Sequence, residues 1–226
     1  MVHFMTTDGV VLTGSLSMPS QKENLTFILL HGLGSGKGEW DTFAAQLIAD
    51  GYGVLSYDAR GHGESTKTSK GAKVSYTEFG ASGPGSPWSR MVDDLGQAVK
   101  FLKRQGITEK RVALCGASLG ANVSMLYAAG HPALPMTILL SPGSTYAGLD
   151  ISSAVTEYGG RPMAVAASYN DRYAYLSSQA IIRALKGNHK VVFIEGPGGH
   201  GVQMFNGTFD KQLREWINKN DSHHSL

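Results

Sequence analysis

The 226-residue chain reads as an α/β fold: a mostly parallel central sheet with an N-terminal antiparallel hairpin and helices on both faces. Two observations predict it. Apolar and β-branched runs of strand length alternate with longer stretches of helical period, the pattern of parallel strands covered on both sides. The glycine-flanked polar residues that could carry chemistry fall just beyond those runs, where a parallel sheet gathers the carboxyl ends of its strands along one edge.

The elements follow in order. An opening hairpin runs to Met18, and a strand Thr26 to Leu30 enters His31-Gly32-Leu33-Gly34. Next comes a helix with Trp40, Phe43, Ala44, Leu47 and Ile48 on one face. The strand Val54 to Tyr57 runs into Asp58-Ala59-Arg60-Gly61-His62-Gly63. A polar stretch rich in Gly and Ser, 64–87, is expected to be a long surface loop, and it is a candidate lid. Beyond it lies a helix with Met91, Leu95, Val99 and Leu102 on its apolar face. The remaining pattern is strand Arg111 to Cys115, helix Leu119 to Ala129, strand Thr137 to Leu140, strand Met163 to Ala167, helix Tyr173 to Leu185, strand Lys190 to Ile194 and helix Phe209 to Ile217. Residues 219–226 are expected to fray, with His223-His224 exposed to solvent rather than bound to metal.

Bulk properties fit one domain without a linker, spanning 1–226. Hydrophobic residues make up 42% of the chain and charged residues 17%, with 29 glycines, as in a turn-rich globular protein. The formal net charge of +2 and the short groupings Lys103-Arg104 and Lys110-Arg111 argue against a nucleic-acid surface. The lone Cys115 rules out an intramolecular disulfide and suits a reducing compartment. The N-terminal sequence lacks the basic start and apolar run of a signal peptide, and no apolar stretch approaches the ~20 residues of a membrane span. Together these point to the cytoplasm.

Gly116-Ala117-Ser118-Leu119-Gly120 fits a G-x-S-x-G turn that follows a buried strand and opens an amphipathic helix. The glycines let strand and helix approach while the serine takes a strained conformation that lifts its hydroxyl out of the sheet. A serine hydroxyl is a weak nucleophile at neutral pH, so it needs a base, and the base needs an orienting acid. His200, in Gly199-His200-Gly201, follows the last strand, and Asp171 follows the strand before it. Asp150 and Glu195 are rival acids; a helix-capping role suits Asp150, and Glu195 reads as structural. Ser, then Asp, then His is the chain order of the α/β-hydrolase triad.

Over residues 8–219 the chain resembles an α/β-hydrolase, a serine hydrolase of carboxylesterase type with little or no cap. The likeness rests on the His31-Gly32-Leu33-Gly34 turn, the Asp58-Ala59-Arg60-Gly61-His62-Gly63-Glu64-Ser65 loop, the Ser118 turn and the Gly199-His200-Gly201 loop. It implies an oxyanion hole made by the backbone N–H groups of Leu33 and Leu119, with His31 shaping its turn. The implied activity is hydrolysis of small or accessible esters through an acyl-enzyme, without cofactor or metal. A thioesterase, lactonase, peptidase or acyltransferase would use the same triad. A non-catalytic protein on this fold would usually have lost a triad member or closed the oxyanion turn, and neither loss is visible.

Other motifs weigh less. Asp58, Arg60 and His62 read as turn-holding residues, and Cys115 as a small core side chain. The stretch Gly196 to Gly201 matches G-x-G-x-x-G, but too little chain follows for a dinucleotide fold. Family members often carry a helical cap between the strands ending near Leu140 and beginning near Met163, and here only residues 141–162 lie there. Trp40, Trp88, Tyr146 and Met204 are the candidates for contacting substrate, with Tyr76, Phe79 and Tyr158 as further aromatic neighbours.

Overall fold

A computed structural model describes residues 1–221; the His223-His224 pair lies outside them. The strands are β1 (Val2–Met5), β2 (Val10–Ser17), β3 (Thr26–Leu30), β4 (Gly53–Tyr57), β5 (Lys67–Thr68), β6 (Val112–Ala117), β7 (Thr137–Leu140), β8 (Thr145–Tyr146), β9 (Leu149–Asp150), β10 (Met163–Ser168) and β11 (Val191–Gly196). The helices are α1 (Asp41–Ala49), α2 (Arg90–Arg104), α3 (Leu119–Ala129), α4 (Ser152–Glu157), α5 (Arg172–Ala184) and α6 (Thr208–Asn220).

Among the described residues the main sheet runs β1-β2-β4-β3-β6-β7-β10-β11, with β5 added to β2. β2 is antiparallel to β1 and β4, and every pair from β4 to β11 along that order is parallel. Alternate residues of the central strands enter opposite cores. Ile28, Leu30, Val112, Leu114, Met163 and Val165 face the layer of α2, α3 and α5. Phe27, Leu29, Ala113, Cys115, Ala164 and Ala166 face α1 and α6. Burial on both faces explains why these strands read as unbroken apolar runs.

Three differences from the sequence reading stand out. The loop 64–87 contains β5 and a 3₁₀ turn, Tyr76–Glu78. Residues 141–162 form the small β8–β9 hairpin and the six-residue α4, too short for amphipathic period to show. Lys219 and Asn220, expected to fray, complete α6, anchored through the buried Ile217.

Candidate active site

β6 ends at Ala117 and α3 begins at Leu119, leaving Ser118 in the turn with φ 54° and ψ −120°. A non-glycine residue with such a backbone costs about 1–3 kcal/mol and persists where its surroundings fix it. The flanking glycines are sterically required. A Cβ on Gly116 would stand 2.2 Å from the Gly120 carbonyl oxygen, and one on Gly120 would stand 2.3 Å from that of Leu30. The Ser118 N–H is tied to Leu140 O at 2.8 Å. At the N-terminus of α3 the first-turn N–H groups lack helical acceptors, and the helix dipole favours negative charge there.

The turn after β3 lies against this serine, since a Cβ on Gly32 would be 3.3 Å from Ser118 Cβ. His31 organises the turn. Its Nε2 accepts the Ala59 N–H at 2.9 Å, so its Nδ1 carries the proton and donates to Gly32 O at 2.7 Å. Burial pushes the ring's pKa down to about 4, which keeps it neutral at physiological pH. Carbonyl and N–H point oppositely across a trans peptide, so pinning Gly32 O also fixes the direction of the Leu33 N–H. The Leu33 side chain is half exposed.

β10 and β11 are parallel neighbours, with Ser168 opposite Gly196. Asp171 precedes α5, His200 follows β11, and the His200 Nδ1–H donates to Asp171 Oδ2 at 2.6 Å. The other two carboxylates are engaged or turned away: Asp150 accepts the Ser152 N–H at 2.7 Å, and Glu195 is exposed. The Gly196–Gly201 stretch forms the loop that presents His200 and leads into a 3₁₀ turn, while the next α-helix starts only at Thr208.

Polar residues passed over in the sequence hold this loop. Ser168 Oγ donates to Gly199 O at 2.5 Å, and buried Ser141, itself at φ 48°, accepts the Gly201 N–H at 2.9 Å. Both directly follow or end a predicted strand, the one signal that marked them. Gln203 closes the turn by accepting the His200 N–H at 3.1 Å.

Tyr146, on β8, lies over the site. Its ring centroid is 6.3 Å from that of His200, and its phenol lies near the Ser118 hydroxyl. Burial, with the nearby Asp171 charge, pushes the phenol up to about 12. A Cβ on Gly143 would meet this ring at 2.7 Å and Tyr173 at 2.8 Å, so the glycine makes room for both. Tyr173 Oη accepts the Thr145 N–H at 3.0 Å and donates to Thr145 O at 2.9 Å, which steadies the hairpin.

The remaining substrate candidates lie elsewhere. Trp40 is fully buried against Phe43 and Phe205, and fully buried Met204 fills the space above Gly196. Both belong to the core beneath the site because α1 and the 3₁₀ turn after His200 pack onto the sheet. Trp88 folds onto its own loop, donating to Gly80 O at 3.2 Å and meeting Phe79 edge to face. Tyr158 is buried and donates to Pro162 O.

The loop 64–87 is fastened at both sides of the site. Tyr76 stacks on His62 at 4.1 Å and brings its hydroxyl to Gly34, and Ser82 fills the space beside Gly148 in the β8–β9 hairpin. His62 is buried with Nδ1 2.9 Å from Arg60 O. Asp58 gathers the N–H groups of Lys37 and Glu64 and the Lys37 ammonium, and Arg60 forks between Asp94 and Asp8. A groove of about 1000 Å³ between α2 and α3 is lined by none of the residues around Ser118 or His200. Among the described residues no helix is long and apolar enough to cross a membrane.

Comparison with known proteins agrees with this architecture. The chain is similar to the esterase Pf2001 of Pyrococcus furiosus, with a TM-score of 0.76 at 20% identity over 96% of this chain and 91% of that one, a likeness of fold. Over 129 residues, 57% of the chain, it is 30% identical to the proline iminopeptidase PfmaB of Pestalotiopsis fici. Over 119 residues, 50% of the chain, it is 32% identical to a monoglyceride lipase homolog of Monkeypox virus. These matches take in 39% and 36% of the two relatives, so the chain spans well under two thirds of their length. Residues 21–172 match the model of the family Hydrolase_4, described as serine aminopeptidase, S33. More than half of the chain lies inside that match, and the protein therefore belongs to this family of α/β-hydrolases.

Proposed function

We propose that the protein is a serine hydrolase that cleaves carboxylic esters of small or accessible substrates through an acyl-enzyme. The observation that carries the reading is the His200–Asp171 pair, joined at 2.6 Å, on the same sheet edge as a serine strained to φ 54°. Ser118 Oγ attacks the substrate carbonyl carbon and its proton passes to His200 Nε2. Asp171 holds the ring with Nδ1 protonated and steadies the imidazolium that forms. The carbonyl oxygen becomes an oxyanion facing the Leu33 and Leu119 N–H groups, each such donor being worth about 3–4 kcal/mol in the transition state. Collapse expels the alcohol, which takes the proton from His200. A water then gives a proton to the same nitrogen and attacks the acyl carbon, and Ser118 leaves with that proton as the acid departs.

The Ser118 hydroxyl closes its hydrogen bond to His200 as substrate enters, in line with the tightening of catalytic contacts on binding. The small hairpin and α4 leave the mouth without a helical cap, which suits accessible esters. The single buried Cys115 fits a reducing compartment such as the cytoplasm.

An aminopeptidase reading is favoured by the family description and by the iminopeptidase relative. One experiment separates the two: organophosphate labelling read by intact mass, followed by p-nitrophenyl esters of graded acyl length beside aminoacyl p-nitroanilides. Ser118→Ala should abolish labelling and ester turnover while leaving the fold intact. Retained turnover would remove the serine from its role, and anilide cleavage exceeding ester cleavage would favour the peptidase.

A further inference from the structure

Resting on the serine-hydrolase reading, we infer that Glu39 is a positioning residue that holds the oxyanion turn in its working shape. Glu39 sits in the 3₁₀ turn Lys37–Trp40, and its Oε1 accepts the Gly32 N–H at 3.0 Å. Ser35 lies beside this carboxylate and eases its charge. Gly32 is thus gripped from two sides, its N–H by Glu39 and its carbonyl by His31 Nδ1 at 2.7 Å.

The grip matters because Gly32 has no Cβ to limit its backbone. Close contact with Ser118 favours that glycine, as a Cβ there would lie 3.3 Å from Ser118 Cβ, tighter than ordinary contact. The same freedom lets the Gly32–Leu33 peptide rotate and carry its N–H away from the developing oxyanion. Restraint must therefore come from outside the turn, and a donor contributes fully only when it is in place before charge develops. The next residue, Trp40, is fully buried against Phe43 and Phe205, so the backbone from which Glu39 reaches is itself fixed. Burial pushes the Glu39 carboxyl up, and Ser35 and the Gly32 N–H draw it back.

Three variants test this with p-nitrophenyl acetate turnover, inhibition by a trifluoromethyl ketone that forms the tetrahedral adduct, and the rate of organophosphate labelling at Ser118. Glu39→Ala should lower kcat about 10- to 100-fold, leave KM within about threefold and weaken the ketone in step with kcat. Glu39→Gln, whose amide oxygen can accept the same N–H, should return kcat to within about threefold of the parent. Glu39→Asp, whose carboxylate is drawn back by one methylene, should be as slow as Glu39→Ala. The Gln and Asp pair decides the matter even where the Ala variant does not fold.

Two kinetic results overturn the inference, as does a labelling rate unchanged in every variant: full kcat in both Ala and Asp variants, or a Gln variant as slow as Asp, which would assign the effect to charge instead of the hydrogen bond. Its failure is distinct from that of the underlying reading. An unlabelled Ser118 in the parent protein removes the serine mechanism, whereas normal labelling of parent and variants alike removes Glu39 alone.

Discussion

Acidification should loosen the protein through His31 before it reaches the general run of carboxylates. The ring is 4% exposed, and burial lowers its pKa from 6.5 to about 4. Between those values the unfolded chain binds a proton that the folded chain refuses. The stabilisation from neutral His31 is therefore complete above the unfolded value and drains away as pH falls toward the folded one. At about 1.4 kcal/mol per pH unit, the whole interval is worth about 3 kcal/mol, most of it spent by pH ~4.5. The structure supplies the reason: Nε2 faces the Ala59 N–H at 2.9 Å, and a proton placed there would set donor against donor. Urea unfolding followed by tryptophan fluorescence at pH 7 and pH 4.5, on the parent and on His31→Gln, isolates the effect. The variant starts less stable, but the parent should lose about 2–3 kcal/mol more between the two pH values. His62, which burial also pushes down, titrates in both proteins, so only its coupling to the His31 ring, 5.1 Å away, enters the difference. Equal losses in the two proteins would refute the argument.

Asp171→Asn should preserve the fold but favour the wrong imidazole tautomer, lowering kcat/KM by about 10²- to 10⁴-fold in ester hydrolysis; a loss under tenfold would show that another group orients His200. Arg60→Ala should cost about 3–5 kcal/mol of stability in urea titrations, because it strands the buried Asp94 carboxylate, and Arg60→Lys should not restore it, lacking the two-pronged geometry. An Arg60→Ala protein within about 1 kcal/mol of the parent would mean that solvent reaches that carboxylate.

Much of this architecture is legible from residue order because both faces of the central strands are covered. Unbroken runs such as Thr26–Leu30 and Met163–Ser168 need no partner to be recognised. The β8–β9 hairpin escapes notice since strands of two residues carry no period, although its turn, Ala147-Gly148, takes left-handed backbone at both positions. Sequence brings three carboxylates toward the edge where His200 sits. Only geometry shows that Asp171 reaches the ring, while Asp150 serves the Ser152 N–H. Trp40 misleads for a different reason. An aromatic residue just after a glycine-rich turn looks the same whether it faces a cleft or the layer beneath, and the 3₁₀ turn rotates it inward. Glu39 and Ser141 are hard to single out beforehand because each acts on a backbone group that only the fold brings beside it, seven and sixty residues away along the chain.

The end of β7 offers no reacting group, yet consecutive residues there moor both partners of the proposed proton transfer: Leu140 O takes the Ser118 N–H at 2.8 Å and Ser141 Oγ takes the Gly201 N–H at 2.9 Å. Hydroxyl and imidazole therefore share a common mooring at the end of one strand. Evolution can reshape the surrounding loops for new substrates without retuning that span, whereas a single-residue insertion after Leu140 would cut the two adrift.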